Sequence, residues 1–322
     1  MVAGTDGPGP QRRARAFGGK RKVDLQAEFD AARDRFEATN AKIEERAGRN
    51  LFLAGISGVV FGALILASLL WFVEIFAVLA AVLMTAASVE LAIALRSAGR
   101  RVPLVGSGIA ALGVVTASYL LGAQGLWWSS LAACVFVVAW RLVDAAAHRG
   151  SAGRAARLGR DLLTSVFVVL YVTVLGAFTE LLALRDAGQG RWWVLGMIII
   201  VVAADTGAYA AGVTLGRHKM VPTISPNKSW EGFAGAALTA IAGGILVGVP
   251  MLGIPWWQGL VLGIVLLLTA TIGDLTESLV KRDLGIKDMS NWIPGHGGLL
   301  DRVDSILPSG AAAFALSVIF AR

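Results

Sequence analysis

Runs of apolar residues long enough to cross a bilayer recur along almost the whole chain. They limit its fold more than any other feature. About 20 helical residues span the roughly 30 Å of hydrocarbon, and inside lipid every backbone polar group must be paired within a helix or a closed barrel. The runs fall at 51–73, 75–95, 103–122, 126–143, 162–184, 192–212, 231–250, 256–280 and 304–321. Each is continuously apolar and much longer than the roughly 10-residue alternating strand of a membrane barrel. The expected fold is therefore an all-α polytopic membrane protein with about nine transmembrane helices. Only 16% of the 322 residues are charged, against about 25% in a soluble domain. The single cysteine, Cys134, excludes an intramolecular disulfide.

Basic residues set the expected orientation. With the N-terminus in the cytosol, 26 of the 29 Lys and Arg fall on the cytosolic side, the exceptions being Arg185, Arg191 and Arg322. Such an asymmetry places the N-terminus inside and the C-terminus outside. The Trp127–Trp128, Trp192–Trp193 and Trp256–Trp257 pairs open spans at the outer face and Trp71 closes one there, as expected of rings that prefer the headgroup interface. The net charge of +7 follows from this pattern and a basic tail, so no nucleic-acid partner is expected.

Three regions follow: a cytosolic tail at 1–50, N-terminal transmembrane helices at 51–190, and a C-terminal transmembrane region at 191–322 that carries the chemistry. Residues 1–22, rich in Gly, Pro, Arg and Lys, read as disordered. Residues 23–47 place Leu25, Phe29, Phe36 and Ile43 at helical spacing, which suits a membrane-surface helix, a coiled-coil contact or a solvated helix with one apolar stripe. Spans one to five suit a lipid-facing scaffold or a homodimer contact.

A charge inside hydrocarbon is costly and asks for a reason. Glu74, Glu90 and Glu180 lie close enough to span ends to read as interfacial. Asp205 lies 13 residues after Trp192, about 20 Å below the outer belt at 1.5 Å per residue. Asp274, 18 residues after Trp256, lies about 27 Å down. On a continuous helix Asp274, Glu277, Ser278 and Lys281 share one face. The polar insert "ESLVKRDLGIKDMSNWIPGHGGLLDRVDS" (277–305) adds Arg282, His296, Asp301, Arg302 and Asp304. Its Gly295, Gly297 and Gly298 can turn backbone N–H groups toward anionic oxygens. The loop "GRHKMVPTISPNKSWEGF" (216–233) carries Arg217, His218, Lys219, Ser225, Lys228 and Ser229 on the same side. Carboxylates beside cations and a glycine-rich turn suit Mg²⁺ carrying phosphate, since Mg²⁺ is commonly held by one or two carboxylates with substrate oxygens and water. His148 and His218 have no second His or Cys at ligand spacing, so zinc is not expected.

The segment 278–305 resembles the signature of the phosphatidate cytidylyltransferases, or CDP-diacylglycerol synthases. "DTGAYAAGVTLGRHKMVPTISPNKSWEGF" (205–233) is similar to the family's other polar region. It departs at "GVTLG" (212–216), where the family pattern has a basic residue after the first glycine, so no phosphate role passes to Val213. The resemblance covers about 205–305. It implies an active site facing the cytosol of a bacterial-type inner membrane, where CTP and phosphatidic acid give CDP-diacylglycerol and pyrophosphate. It implies a divalent cation on Asp274 and Asp301, with Asp205 available for a second cation or for orienting a lysine. Lys281 and Arg282 match its basic pair, while Ser225, Lys228 and Glu231 match its "SPNKSWEG" motif. His296, Gly297 and Arg302 complete the expected substrate-binding set. Two other classes compete on the residues alone. One is another CTP-using enzyme acting on a different lipid phosphate or as a lipid kinase. The other is a transporter, which the clustering of polar residues in the C-terminal half disfavours.

Overall fold

The structure, a computed structural model, describes residues 51–147, 154–185, 188–290, 292–293 and 297–320. The expectations for residues 1–47, for His148 and for His296 lie outside these. The chain divides into two units, Met1–Val59 and Val60–Arg322, and apart from the helical residues 51–59 the structural description below concerns the second.

Helix follows helix along the chain: α1 (Leu51–Trp71), α2 (Val73–Ser97), α3 (Leu104–Ala147), α4 (Arg154–Val168), a π-helical turn (Val169–Val174) and α5 (Leu175–Ala183) come first. Then come α6 (Gln189–Leu215), a hairpin of β1 (Lys219–Val221) and β2 (Ser225–Ser229), α7 (Trp230–Leu252), α8 (Trp256–Leu284), α9 (Leu300–Val303) and α10 (Ile306–Phe320). Among the described residues, seven helical segments are long and apolar enough to cross a membrane, and Gly58–Trp71 is a shorter apolar stretch. The chain is an all-α polytopic membrane protein. The 44-residue α3 is broken at Gly122, whose φ of 62° and ψ of −145° interrupt the helix. That break coincides with the boundary between the expected spans at 103–122 and 126–143.

Two apolar cores are shared out among these helices. One joins α2, α3, α4, the π turn and α5, and it also receives Met289, Leu299, Leu300 and Val303 from the polar insert. The other joins α6, α7, α8 and α10 and takes in Leu69 of α1, Phe76 of α2 and Leu182 and Ala183 of α5. The insert is thus pinned to the N-terminal helices, whereas the helices bracketing it, α8 and α10, pack in both cores, α10 giving Leu307 to the first and Ala313 and Leu316 to the second. Lipid-facing side chains such as Val78, Leu120 and Leu238 remain exposed, as expected where lipid tails replace water. Trp71, Trp127, Trp128, Trp256 and Trp257 are exposed, in keeping with an interfacial belt. Trp193 is not: it is buried, its ring 6.3 Å from that of Phe320.

Two carboxylates also depart from the interfacial expectation. Glu180 is buried and accepts a 2.5 Å hydrogen bond from Ser118. Glu90 is buried against the polar insert. In both cases a partner distant in sequence supplies the polar contact, which span position does not reveal. Glu74 is exposed, as expected.

Candidate active site

The site is built on the inner ends of α6 and α8, the hairpin and the α8–α10 insert. Helix α8 continues through Lys281, so Asp274, Glu277, Ser278 and Lys281 do share a face. It stops at Gly285, whose φ of 69° lets the Ile286 and Gly285 N–H groups reach the carbonyls of Lys281 and Arg282 at 3.0 and 3.1 Å. This left-handed cap reverses the chain, and the reversal returns Met289 to the α9 region.

Asp301 is anchored through both of its oxygens. Its Oδ2 accepts from the backbone N–H of Gly298 at 2.8 Å and of Met289 at 3.2 Å. Its Oδ1 accepts from Lys281 Nζ at 2.8 Å, and the same ammonium donates to Glu277 Oε2 at 3.1 Å. Glu277 is buried, and its Oε1 has no hydrogen-bond partner among the described residues. The Gly298 N–H is therefore spent on Asp301 rather than turned toward a ligand, a correction to the nest expected of that glycine. Gly295 lies outside the described residues, and Gly297, at φ 81°, accepts from Ile293 N–H at 3.0 Å.

Glu90, which its place near a span end marks as interfacial, instead holds this loop in place. Glu90 accepts from the backbone N–H of Leu299 at 3.0 Å and of Leu300 at 2.7 Å, and from the Ser290 hydroxyl. Its carboxylate thereby satisfies donors at the start of α9, which no intrahelical carbonyl can reach. A Cβ on Gly298 would stand 2.7 Å from Glu90 Oε1 and 2.9 Å from Asp301 Oδ2. Only glycine there lets both carboxylates close on the loop. The polar environment of Glu90 could have been suspected from its depth, but its partners lie some 200 residues away.

The hairpin contributes from the other side. Lys228 Nζ lies 2.6 Å from Asp274 Oδ2, and Ser278 donates to Asp274 Oδ1 at 3.3 Å. Ser229 caps α7 by accepting from Gly232 N–H at 3.1 Å. Glu231 does not point at the carboxylates: it accepts from the Arg217 and His218 backbone N–H groups and pairs with His218 Nδ1 at 2.6 Å, tying α7 to the end of α6. Ser225 pairs with Val221 at the start of β2, and Arg282 donates to the Ile224 carbonyl at 3.1 Å. Ser225, Glu231 and Arg282 therefore shape the hairpin, whereas Lys228 reaches the centre.

Two cavities meet there. A polar one of about 260 Å³ is lined by Asp205, Asp274, Glu277, Lys281, Asp288, Asp301, Arg302, Asp304 and Ser305. A mainly apolar groove of about 350 Å³ runs between α6, α7 and α8, past Tyr209, Phe233, Ala236 and Leu267. Asp205 and Asp274 line both. The structure thus gathers Asp205, Asp274, Lys281, Asp301, Arg302 and Lys228 about one junction. A Cβ on Gly273 would fall 2.9 Å from Pro308 Cγ, so this glycine lets α8 and the start of α10 approach and brings Asp274 near Asp304.

The oxygens suit a hard cation, being mostly those of carboxylates, and the orphaned Glu277 Oε1 is a buried acceptor among them. No three His, Cys, Asp or Glu side chains among the described residues form a ready-made cage. A Mg²⁺ ion would then rest on one or two carboxylates and take its other ligands from substrate and water.

In this largely helical membrane protein an acid-and-lysine cavity shares Asp205 and Asp274 with an apolar groove, so a polar ligand and an amphiphilic one can sit side by side. Sequence comparison makes the class specific. The profile of the cytidylyltransferase family matches residues 52–320, and the chain belongs to that family. It is 40% identical to the phosphatidate cytidylyltransferase of Mycobacterium bovis over 273 residues, which cover 84% of this chain and 89% of that protein. The Mycobacterium leprae phosphatidate cytidylyltransferase is 39% identical over 284 residues, 86% of this chain and 90% of its own. The enzyme of the same name from Brucella suis is 40% identical over 136 residues, 42% of this chain and half of its own.

Proposed function

We propose that the chain transfers CMP from CTP to phosphatidic acid, giving CDP-diacylglycerol and pyrophosphate for phospholipid synthesis, at the junction of the two cavities. The observation that carries the reading is that Asp205 and Asp274 line both the polar cavity and the apolar groove. The triphosphate occupies the polar cavity, and the lipid phosphate arrives along the groove with its chains against α6, α7 and α8.

An oxygen of the phosphatidate phosphate attacks the α-phosphorus of CTP. The bond from that phosphorus to the β-phosphate bridging oxygen breaks, and pyrophosphate leaves. A phosphate monoester is largely ionised at neutral pH, so no general base is needed. The barrier comes from bringing two anions together, and positioning with charge neutralisation is what the protein must supply. Lys281 and Arg302 neutralise the triphosphate and the departing pyrophosphate, and Lys228 receives the lipid phosphate beside Asp274. Asp274 and Asp301 would hold Mg²⁺, with Asp205 offering a place for a second cation; the ion supplies charge neutralisation at the phosphate oxygens. Ser225, Glu231 and Arg282 keep the hairpin closed over the cavity.

In the membrane the chain crosses nine times. Helix α1 is the first crossing, and the two halves of α3 on either side of Gly122 count separately. The N-terminus and the polar junction face the cytosol and the C-terminus lies outside, a reading supported by the Lys and Arg asymmetry and the exposed Trp residues. CTP then enters from the cytosol, and phosphatidate from the inner leaflet.

The test is a lipid panel in detergent micelles with labelled CTP, with Mg²⁺ or with chelator. Label passing into lipid with phosphatidic acid and Mg²⁺, and not with diacylglycerol or with chelator, is the expected result. Preference for diacylglycerol, or for a polyprenyl phosphate over phosphatidic acid, would overturn the substrate assignment.

A further inference from the structure

A second cavity, about 430 Å³, lies away from the junction, at the ends of α2 and α3. It is lined by Arg96, Arg101, Trp140, Arg141 and Asp144, with Val102 and Pro103 of the connecting turn and the start of α3. Among the described residues, three guanidinium groups face one lining carboxylate there. Arg141 is buried and held in place: its Nε and Nη2 donate to Asp161 at 3.2 and 2.7 Å and its Nη1 to Asp144 at 3.1 Å. Asp161 also accepts from the Arg101 backbone N–H at 3.1 Å. That network fixes the turn and its basic residues as a rigid floor. The Arg96 and Arg101 side chains, by contrast, are exposed and make no ion pair or hydrogen bond among the described residues.

Positive charge at a helix end can serve topology alone, but topology needs neither a cavity nor a buried arginine at its base. The surroundings also indicate the form in which an anion would arrive. Val105, Ile109 and Leu112 are exposed and follow one another up α3 from the cavity rim at the spacing of a single helix face. Half-exposed Trp140 has the amphipathic character of a headgroup-level ring. A molecule filling this place would carry its negative charge on the cavity and its hydrocarbon along α3.

We propose that this cavity binds the phosphate headgroup of an anionic membrane phospholipid, with Arg96 and Arg101 pairing its oxygens and the acyl chains lying on the Val105–Leu112 face. Arginine suits the role because its planar fork matches phosphate oxygens. Basic pockets at the cytosolic ends of transmembrane helices are a general means of holding such headgroups. The turn that lines the cavity also reaches the catalytic helix: Arg100 lies 3.6 Å from Asp283, two residues past Lys281 on α8.

The test is native mass spectrometry of the full chain in detergent, titrated with phosphatidylglycerol or phosphatidylcholine. The wild-type protein should hold one phosphatidylglycerol more than R96Q/R101Q at the same lipid concentration, and phosphatidylcholine should not replace it. K219Q/K287Q, which removes the same charge outside the cavity, should bind as the wild type does. The exposed positions of Arg96 and Arg101 leave the Arg141 network intact, and an unchanged melting temperature in R96Q/R101Q checks this. Equal phosphatidylglycerol binding by R96Q/R101Q and wild type, or equal retention of phosphatidylcholine, would overturn the site. Displacement by millimolar inorganic phosphate would overturn the lipid assignment in favour of a soluble anion.

Discussion

Lys281 bridges two carboxylates, Glu277 and Asp301, with side-chain exposures of 1% and 7%. Removing one partner from such a buried pair leaves uncompensated charge and costs about 3–5 kcal/mol. K281M should therefore lower both the melting temperature and turnover, and K281R should restore the former better than the latter. Equal stability in K281M and wild type would contradict the bridge. Glu90 acts at one remove, through the loop that carries Asp301. E90A should cost about 1–3 kcal/mol of stability, since it strands buried N–H donors. By loosening a supporting contact it should also weaken metal dependence or turnover by about 10- to 100-fold. Steady-state kinetics with varied Mg²⁺ measure this. A loss of stability with an unchanged Mg²⁺ half-saturation and kcat would reduce Glu90 to a structural residue.

At the scale of the elements, the reading of α8 was available from sequence because helical periodicity alone puts Asp274, Glu277 and Lys281 on one face. Gly122 was likewise legible as a span boundary. The hairpin was read as a loop: β1 and β2 are three and five residues long, too short for alternation to declare itself. Glu90 and Glu180 were misjudged because depth along a helix says nothing about which neighbouring helix supplies the partner. His218 was legible as a polar loop residue, but its pairing with Glu231 depends on how α6, the hairpin and α7 close. The elements themselves carry a prediction at the α8–α10 crossing. Gly273 leaves no room for a larger residue against Pro308, and overpacking costs about 1–3 kcal/mol. G273V should spread α8 from α10, lower the melting temperature and reduce turnover more than it weakens CTP binding. Undiminished turnover in G273V would contradict the close approach.

For the molecule as a whole, the two apolar cores meet where the insert, anchored in the first, delivers Asp301 to α8, anchored in the second. This division explains why a chain so apolar keeps a long charged segment between two membrane helices. The orientation predicts that, in a C134S background, a cysteine at Gln189 reacts with impermeant maleimide on intact cells, while one at Lys219 reacts only after permeabilisation. The reverse pattern would put the junction outside and out of reach of cytosolic CTP. The central claim is that one junction joins the nucleotide's α-phosphate to a lipid phosphate. The most direct measurement follows CTP labelled separately at the α- and γ-phosphates into lipid extracts, for wild type and D274N with phosphatidic acid and Mg²⁺. The account predicts that α-label enters lipid, that γ-label leaves as pyrophosphate, and that D274N slows both by about 100-fold or more. Transfer of γ-label to lipid, or full activity in D274N, would contradict it.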